Sequence, residues 1–142
     1  MNIKKILLAT ISYTLLTMLI AYPWHMIWFH DLYLEMGAYT RPEPIVPLGM
    51  SSMLIQGFII AYLYPYFYKG GKPILEGIKF SLIMGAAVYS VMGLAMAAKI
   101  NINPISSYLA YNLVFQLIQA CITGAVLGFI YKKNTNQLTN NN

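Results

Sequence analysis

Apolar residues run almost unbroken through four stretches, roughly Ile6 to Phe29, Leu48 to Tyr68, Ile74 to Ala98 and Ile105 to Tyr131, and polar residues gather between them. A helix of about 20 apolar residues crosses a bilayer, and lipid offers an open backbone no hydrogen-bond partner. Each stretch therefore reads as a membrane-spanning helix. The pattern predicts an all-α fold: a four-helix transmembrane bundle forming one domain over 1–133, then a low-complexity polar tail over 134–142, NTNQLTNNN, with the composition of disorder.

Two of the connections are short. Lys69-Gly70-Gly71-Lys72-Pro73 supplies glycine to close one helix and proline to open the next, and Asn101-Ile102-Asn103-Pro104 offers Asn103 as N-cap and Pro104 as first helical residue. Loops of this length make neighbouring helices antiparallel. The first connection, with Arg41-Pro42-Glu43-Pro44 and then Pro47, is longer and stiffened towards polyproline II. Pro23 should kink or stop the first span, leaving Trp24 to Met36 either as its continuation or as a separate interfacial helix.

Composition strengthens the membrane reading, since 58% hydrophobic and 9% charged residues in a chain of 142 exceed what a soluble core of that size could bury. The net charge of +5 does not point to nucleic acid, because the basic residues sit singly or in pairs at the ends of apolar runs. Lys4, Lys5, Lys69, Lys72, Lys79, Lys132 and Lys133 fall on one side and Arg41 and Lys99 on the other, so the positive-inside rule predicts both termini in the cytoplasm. Tyr62, Tyr64, Tyr66, Tyr68 and Tyr131 then mark the inner interface, and Tyr22, Tyr33, Tyr39, Tyr108 and Tyr111 the outer one. The first span resembles a signal peptide, but Leu19 stands where cleavage after Ala21 wants a small residue, so the span reads as retained. Cys121, the single cysteine, reads as a small buried side chain.

Helix packing in lipid rests on small residues and on polar side chains that pair across helices. The third span carries Gly77, Ser81 and Gly85 on one face and Ala86, Ser90, Gly93 and Ala97 on another, which marks it as the central helix. Ala120, Gly124 and Gly128 form a small-residue ridge on the fourth, available within the bundle or between protomers. Beside that ridge Tyr108, Asn112, Gln116, Gln119 and Thr123 keep within a sector of about 80° at about 100° per residue. Such a stripe does not face lipid. With Gln56 and Tyr89 at matching depth, it either lines a polar pocket in the outer half of the bundle or serves as interhelical hydrogen-bond glue.

Over the mouth of that pocket would lie Tyr22 to Glu43, which holds both histidines, both tryptophans and three of the four acidic residues. On one helix Trp24, Trp28, Asp31 and Glu35 share a face, whereas His25 and His30 lie about 140° apart. His25, His30, Asp31 and Glu35 are the candidate metal ligands, of the types zinc and iron sites use, although no histidine-carboxylate pair has the i, i+3 or i, i+4 spacing of such sites. The alternative has these groups pairing with Arg41 or water. Met26 beside His25, with Met92 and Met96 a turn apart, admits copper(I), yet methionine equally fills apolar gaps. No Gly-rich phosphate loop, CxxC or HExxH occurs, and Glu76 and Lys79 lie at a span end rather than in mid-membrane, which argues against proton-coupled exchange. No catalytic residue is singled out, and the residues leave a cofactor unknown.

The Trp/Pro/Phe-rich end of the first span, Glu76-Gly77-Ile78-Lys79-Phe80 opening the third and Gly124-Ala125-Val126-Leu127-Gly128 closing the fourth resemble bacterial four-helix inner-membrane proteins grouped as a domain of unknown function. The resemblance implies a four-span fold in the cell inner membrane and supplies no activity or functional residue. The functional expectation from the residues is a non-enzymatic binding or transport module whose ligand-binding residues are Gln56, Tyr89, Asn112, Gln116, Gln119, His25 and Trp28, in a homo-oligomer. An accessory subunit docking on a membrane-protein partner, and a metal- or cofactor-dependent membrane enzyme, are the alternatives.

Overall fold

The structure, a computed structural model, describes residues 2–41 and 43–132; the tail predicted to be disordered, 134–142, and Pro42 of the first connection lie outside the described residues. Helix α1 (Ile3–Tyr22) starts where the Asn2 side chain accepts the Lys5 backbone N–H at 3.2 Å. At Pro23 the chain does not leave the helix but widens into a π-helical segment, Pro23–Trp28, in which Phe29 N–H donates to Trp24 O at 3.1 Å, five residues back. Proline cannot donate and its ring displaces the carbonyl four residues earlier, so the ladder shifts register instead of continuing. The helix breaks at Phe29 and restarts as the short α2 (His30–Glu35).

Three further helices follow: α3 (Val46–Phe67), α4 (Pro73–Tyr89), which runs on through a second π-helical segment, Ser90–Ala95, and α5 (Ile105–Tyr131). Four helices, Ile3–Trp28, Val46–Phe67, Pro73–Ala95 and Ile105–Tyr131, are long and apolar enough to cross a membrane. Gly70 and Gly71, at φ 117° and 102°, make the turn before α4, which Pro73 opens. At the other short loop the expectation needs correcting. Pro104 is extended and caps α5 from outside, while Asn103 N–H is turned away to donate to Met36 O at 3.0 Å.

The third span is not the central helix. It packs Gly77, Ser81 and Gly85 chiefly towards α5, and of its second face Gly93 and Ala97 are buried while Ala86 and Ser90 stay exposed; α1 and α5 form the middle of the bundle, with α3 against α1 and α4 against α5. The α4–α5 contact is backbone to backbone. A Cβ at Gly77 would meet Gly128 N at 2.7 Å, and one at Gly124 would meet Gly77 O at 2.7 Å, so the ridge on the fourth span is used inside the bundle. Gly57 does the same for α3, where Thr10 O of α1 would lie 3.1 Å from an added Cβ.

Two cores result, one at each end. Near the α3–α4 turn Ile6, Ala9, Tyr13, Ile60, Ala61, Tyr64, Phe80, Leu127 and Tyr131 pack together, with Tyr131 Oη donating to Ala61 O at 2.8 Å. Tyr64 is fully buried there and Tyr131 nearly so, and both rings pack into the bundle instead of facing outward. At the opposite end, called here the cap end, Trp24, Tyr33, Met36 and Ile102 form the second core beneath Phe29, Tyr39, Tyr108, Tyr111 and Phe115. Gly37, at φ 74°, lets the α2–α3 connection pass so close to Asn101 that an added Cβ would meet its carbonyl oxygen at 2.9 Å. Cys121 is exposed on α5 instead of buried, since that helix turns Ala120 and Gly124 inward.

Candidate functional site

Helices α3 and α4 meet through rings near their shared turn, where Phe80 lies 5.4 Å from Tyr64 and 5.1 Å from Phe67. Towards the cap end they no longer close on each other, and a cavity of about 560 Å³ lies between them, α1 and α5. This is within the size range of small-molecule sites. Its walls come from Thr17 to Met26 of α1 and its π-helical end, Gly49 to Gln56 of α3, Val88 to Gly93 of α4 and its π-helical end, and Tyr108 to Gln119 of α5. Ala38, Tyr39, Pro44 and Ile45, from the connection between α2 and α3, edge it at the cap.

Gln56, Tyr89, Asn112, Gln116, Gln119 and His25 all border this cavity, six of the seven residues singled out from sequence. Trp28 does not. It is 67% exposed on the far side of the π-helical segment, whereas Trp24 is buried, so the face they would share on a regular α-helix does not exist.

The polar stripe is glue at its deep end and lining at its shallow end. Gln119 donates both Nε2 protons to α1, to Tyr13 Oη at 3.0 Å and Thr17 Oγ1 at 2.9 Å, and its Oε1 accepts from Gln116 Nε2 at 3.2 Å. Asn112 Nδ2 donates to Tyr108 O of its own helix at 2.8 Å. Gln56 makes no side-chain hydrogen bond among the described residues. Below it a recess of about 10 Å³, wide enough for one water-sized group, reaches Ser81, Gln116 and Gln119. The buried Ser81 hydroxyl has no partner there.

Both π-helical segments border the cavity, and hydroxyls secure the second of them to α5. Tyr89 Oη donates to Leu109 O at 3.1 Å, and Tyr108 Oη donates to Met92 O at 3.2 Å. Gly93 leaves room for the Tyr89 ring, which an added Cβ would meet at 2.7 Å. On the first segment the His25 ring stands edge-on to Phe115 at 4.6 Å and 5.2 Å from Tyr33. Tyr39 Oη reaches His25 O at 3.4 Å. Burial raises both the Tyr33 and the Tyr39 phenols above their usual range, so these cap hydroxyls stay neutral at physiological pH.

The four candidate metal ligands are not brought to one place. His25 faces the aromatic cavity wall, His30 Nδ1 lies 3.2 Å from Asp31 Oδ1 at the surface, and Glu35 is exposed. No group of three or more His, Cys, Asp or Glu residues among the described residues is placed to hold a metal ion. Nor does any Asp, Glu, Lys or Arg among the described residues line the cavity.

Sequence reasoning noted Met26 and Met92 only as copper(I) ligands or gap-fillers and did not place methionines on a cavity wall. Met18, Met26, Met50, Met53 and Met92, five of the nine in the chain, form much of the apolar wall. The available signal was on α3, where Gly49, Ser52, Met53 and Gln56 recur at i, i+3, i+4 and i+7 and set its least apolar face towards the cavity.

Comparison with known proteins finds no matching family model, no matching curated protein and no matching solved structure.

Proposed function

We propose that this protein is a non-enzymatic membrane binding or transport module whose cap-end cavity takes a small or amphiphilic ligand. One observation carries the proposal: a cavity of about 560 Å³ within the span region, with methionines and aromatic rings on its walls and amides of Gln56, Asn112 and Gln116 at its depth. Apolar walls with a few convergent polar groups are the usual make-up of a ligand pocket. In this reading both termini are cytoplasmic and the cap end faces outward across the cell inner membrane, which the seven-to-two division of basic residues supports.

Trp24 reports on binding, because its ring lies 6.0 Å from Phe115 on the cavity wall. In a Trp28→Phe variant reconstituted in nanodiscs, amphiphiles with brominated chains should quench Trp24 emission saturably. Quenching that rises linearly with the lipid fraction, without saturation, would mean bulk lipid contact and sink the proposal.

A second reading, an accessory subunit, is favoured by α3, which buries only Gly57, Ile60, Ala61 and Tyr64, all beyond its first two turns. A partner helix, or a second copy in a homo-oligomer, would cover that face. Recovery of a stoichiometric partner protein in mild detergent would favour this reading over the first.

A further inference from the structure

We infer that the cavity receives an uncharged single-chain amphiphile, which enters sideways from the bilayer between α3 and the π-helical end of α4 and sets its hydrogen-bonding end against Gln56, Asn112 and Gln116. This rests on the ligand-binding reading above and adds the chemical class and the route.

The class follows from what the walls offer. A charge moved into an apolar space without a counter-charge is heavily penalised, and no charged side chain among the described residues borders this one. Neutral hydrogen-bonding capacity is available instead. Gln116 has committed one amide proton and Asn112 one, both amide oxygens of that pair are uncommitted, and Gln56 is uncommitted altogether. Hydroxyl and ester groups match amides that both donate and accept. Gln119 is excluded from this role because its amide is already spent on Tyr13, Thr17 and Gln116.

The route follows from exposure. Exposed lining lies at the cap, in Pro44 and Ile45 of the connection before α3, and on the lateral side, in Gly49 and Ser52 of α3 and Met92 at the π-helical end of α4, and the lateral residues belong to membrane-spanning helices. A Cβ added at Gly49 would meet nothing within 4 Å. An opening flanked by two membrane-spanning helices faces lipid rather than water, so a molecule dissolved in the bilayer reaches it without crossing an aqueous layer. Flexible thioether walls adapt to a hydrocarbon chain without demanding one shape. A two-chain phospholipid has a charged head and twice the hydrocarbon, and meets neither condition.

Three probes of equal chain length, each brominated on the chain, test this in the Trp28→Phe protein: a monoacylglycerol, the alkyl sulfate and the headless bromoalkane. The monoacylglycerol should quench Trp24 saturably at about tenfold lower concentration than the sulfate. Gln116→Leu should weaken the monoacylglycerol about tenfold, the size of one lost hydrogen bond, and leave the bromoalkane unchanged. Should Gln116→Leu lower the melting temperature, Asn112→Leu replaces it, since Asn112 bonds only its own helix. Ser52→Phe, which adds bulk at the lateral opening without a second tryptophan, should abolish saturable quenching of Trp24 by all three probes. Equal affinity for sulfate and monoacylglycerol would overturn the uncharged class, and unchanged binding in Ser52→Phe would overturn the route, with the pocket itself still standing in both cases. Failure of every probe to saturate would overturn the pocket as well.

Discussion

Gln119 shows how one side chain joins the two middle helices. It is 4% exposed, and its amide satisfies two hydroxyls of α1 while accepting from Gln116. Interhelical hydrogen bonds in lipid are worth on the order of 0.6 kcal/mol each, and a stranded buried hydroxyl costs more. Gln119→Leu should therefore destabilise the protein by about 1–3 kcal/mol, read as a lower midpoint of thermal unfolding in detergent, whereas Asn112→Leu should stay within about 0.5 kcal/mol. An unchanged midpoint for Gln119→Leu would mean that Tyr13 and Thr17 find other partners. The stripe containing both residues is visible in the sequence as a periodicity, but the division of labour within it is not. That depends on Tyr13 and Thr17 arriving opposite Gln119, more than 100 residues away in the chain.

Between elements, glycine decides how closely helices approach. Gly77 lies against the backbone of α5 with no room for a methyl group, while Gly49 on α3 borders the cavity with open space around it. Gly77→Ala should force α4 and α5 apart at a cost of about 1–3 kcal/mol, as overpacking does in tight cores. Gly49→Ala, inside α3 and unobstructed, should be neutral or stabilise by up to about 1 kcal/mol. Comparing the two unfolding midpoints checks both, and equal effects would mean that α4 and α5 do not pack through this face. The glycine ridge is legible in sequence, since small residues four apart mark a close contact, but not the choice of partner helix. The π-helical segments divide in the same way: Pro23 announces the first, whereas Ser90–Ala95 contains no proline and forms where Tyr108 Oη takes the Met92 carbonyl and Tyr89 leans over Gly93.

For the molecule as a whole, orientation determines which side of the membrane the ligand reading concerns. Asp31, with its side chain 94% exposed at the cap end, is a suitable position for a probe. In a Cys121→Ser background, Asp31→Cys should react with a membrane-impermeant maleimide in intact cells; labelling only after lysis would place the cap in the cytoplasm and reverse the proposed direction of access. Sequence alone determined the number of spans, their approximate limits and the disturbance of the first span at Pro23, because bilayer thickness and the need to pair every backbone amide act locally on a run of apolar residues. It also marked most of the polar residues that border the cavity, since a polar stripe on a spanning helix must face protein or an enclosed space. Tertiary structure alone decided that α1 and α5 lie at the centre, that Gln119 is spent on packing while Gln56 is not, that Trp28 points away, and that five methionines meet around one space. Those outcomes depend on which helix faces which, a relation between distant parts of the chain that no periodicity within a single span contains.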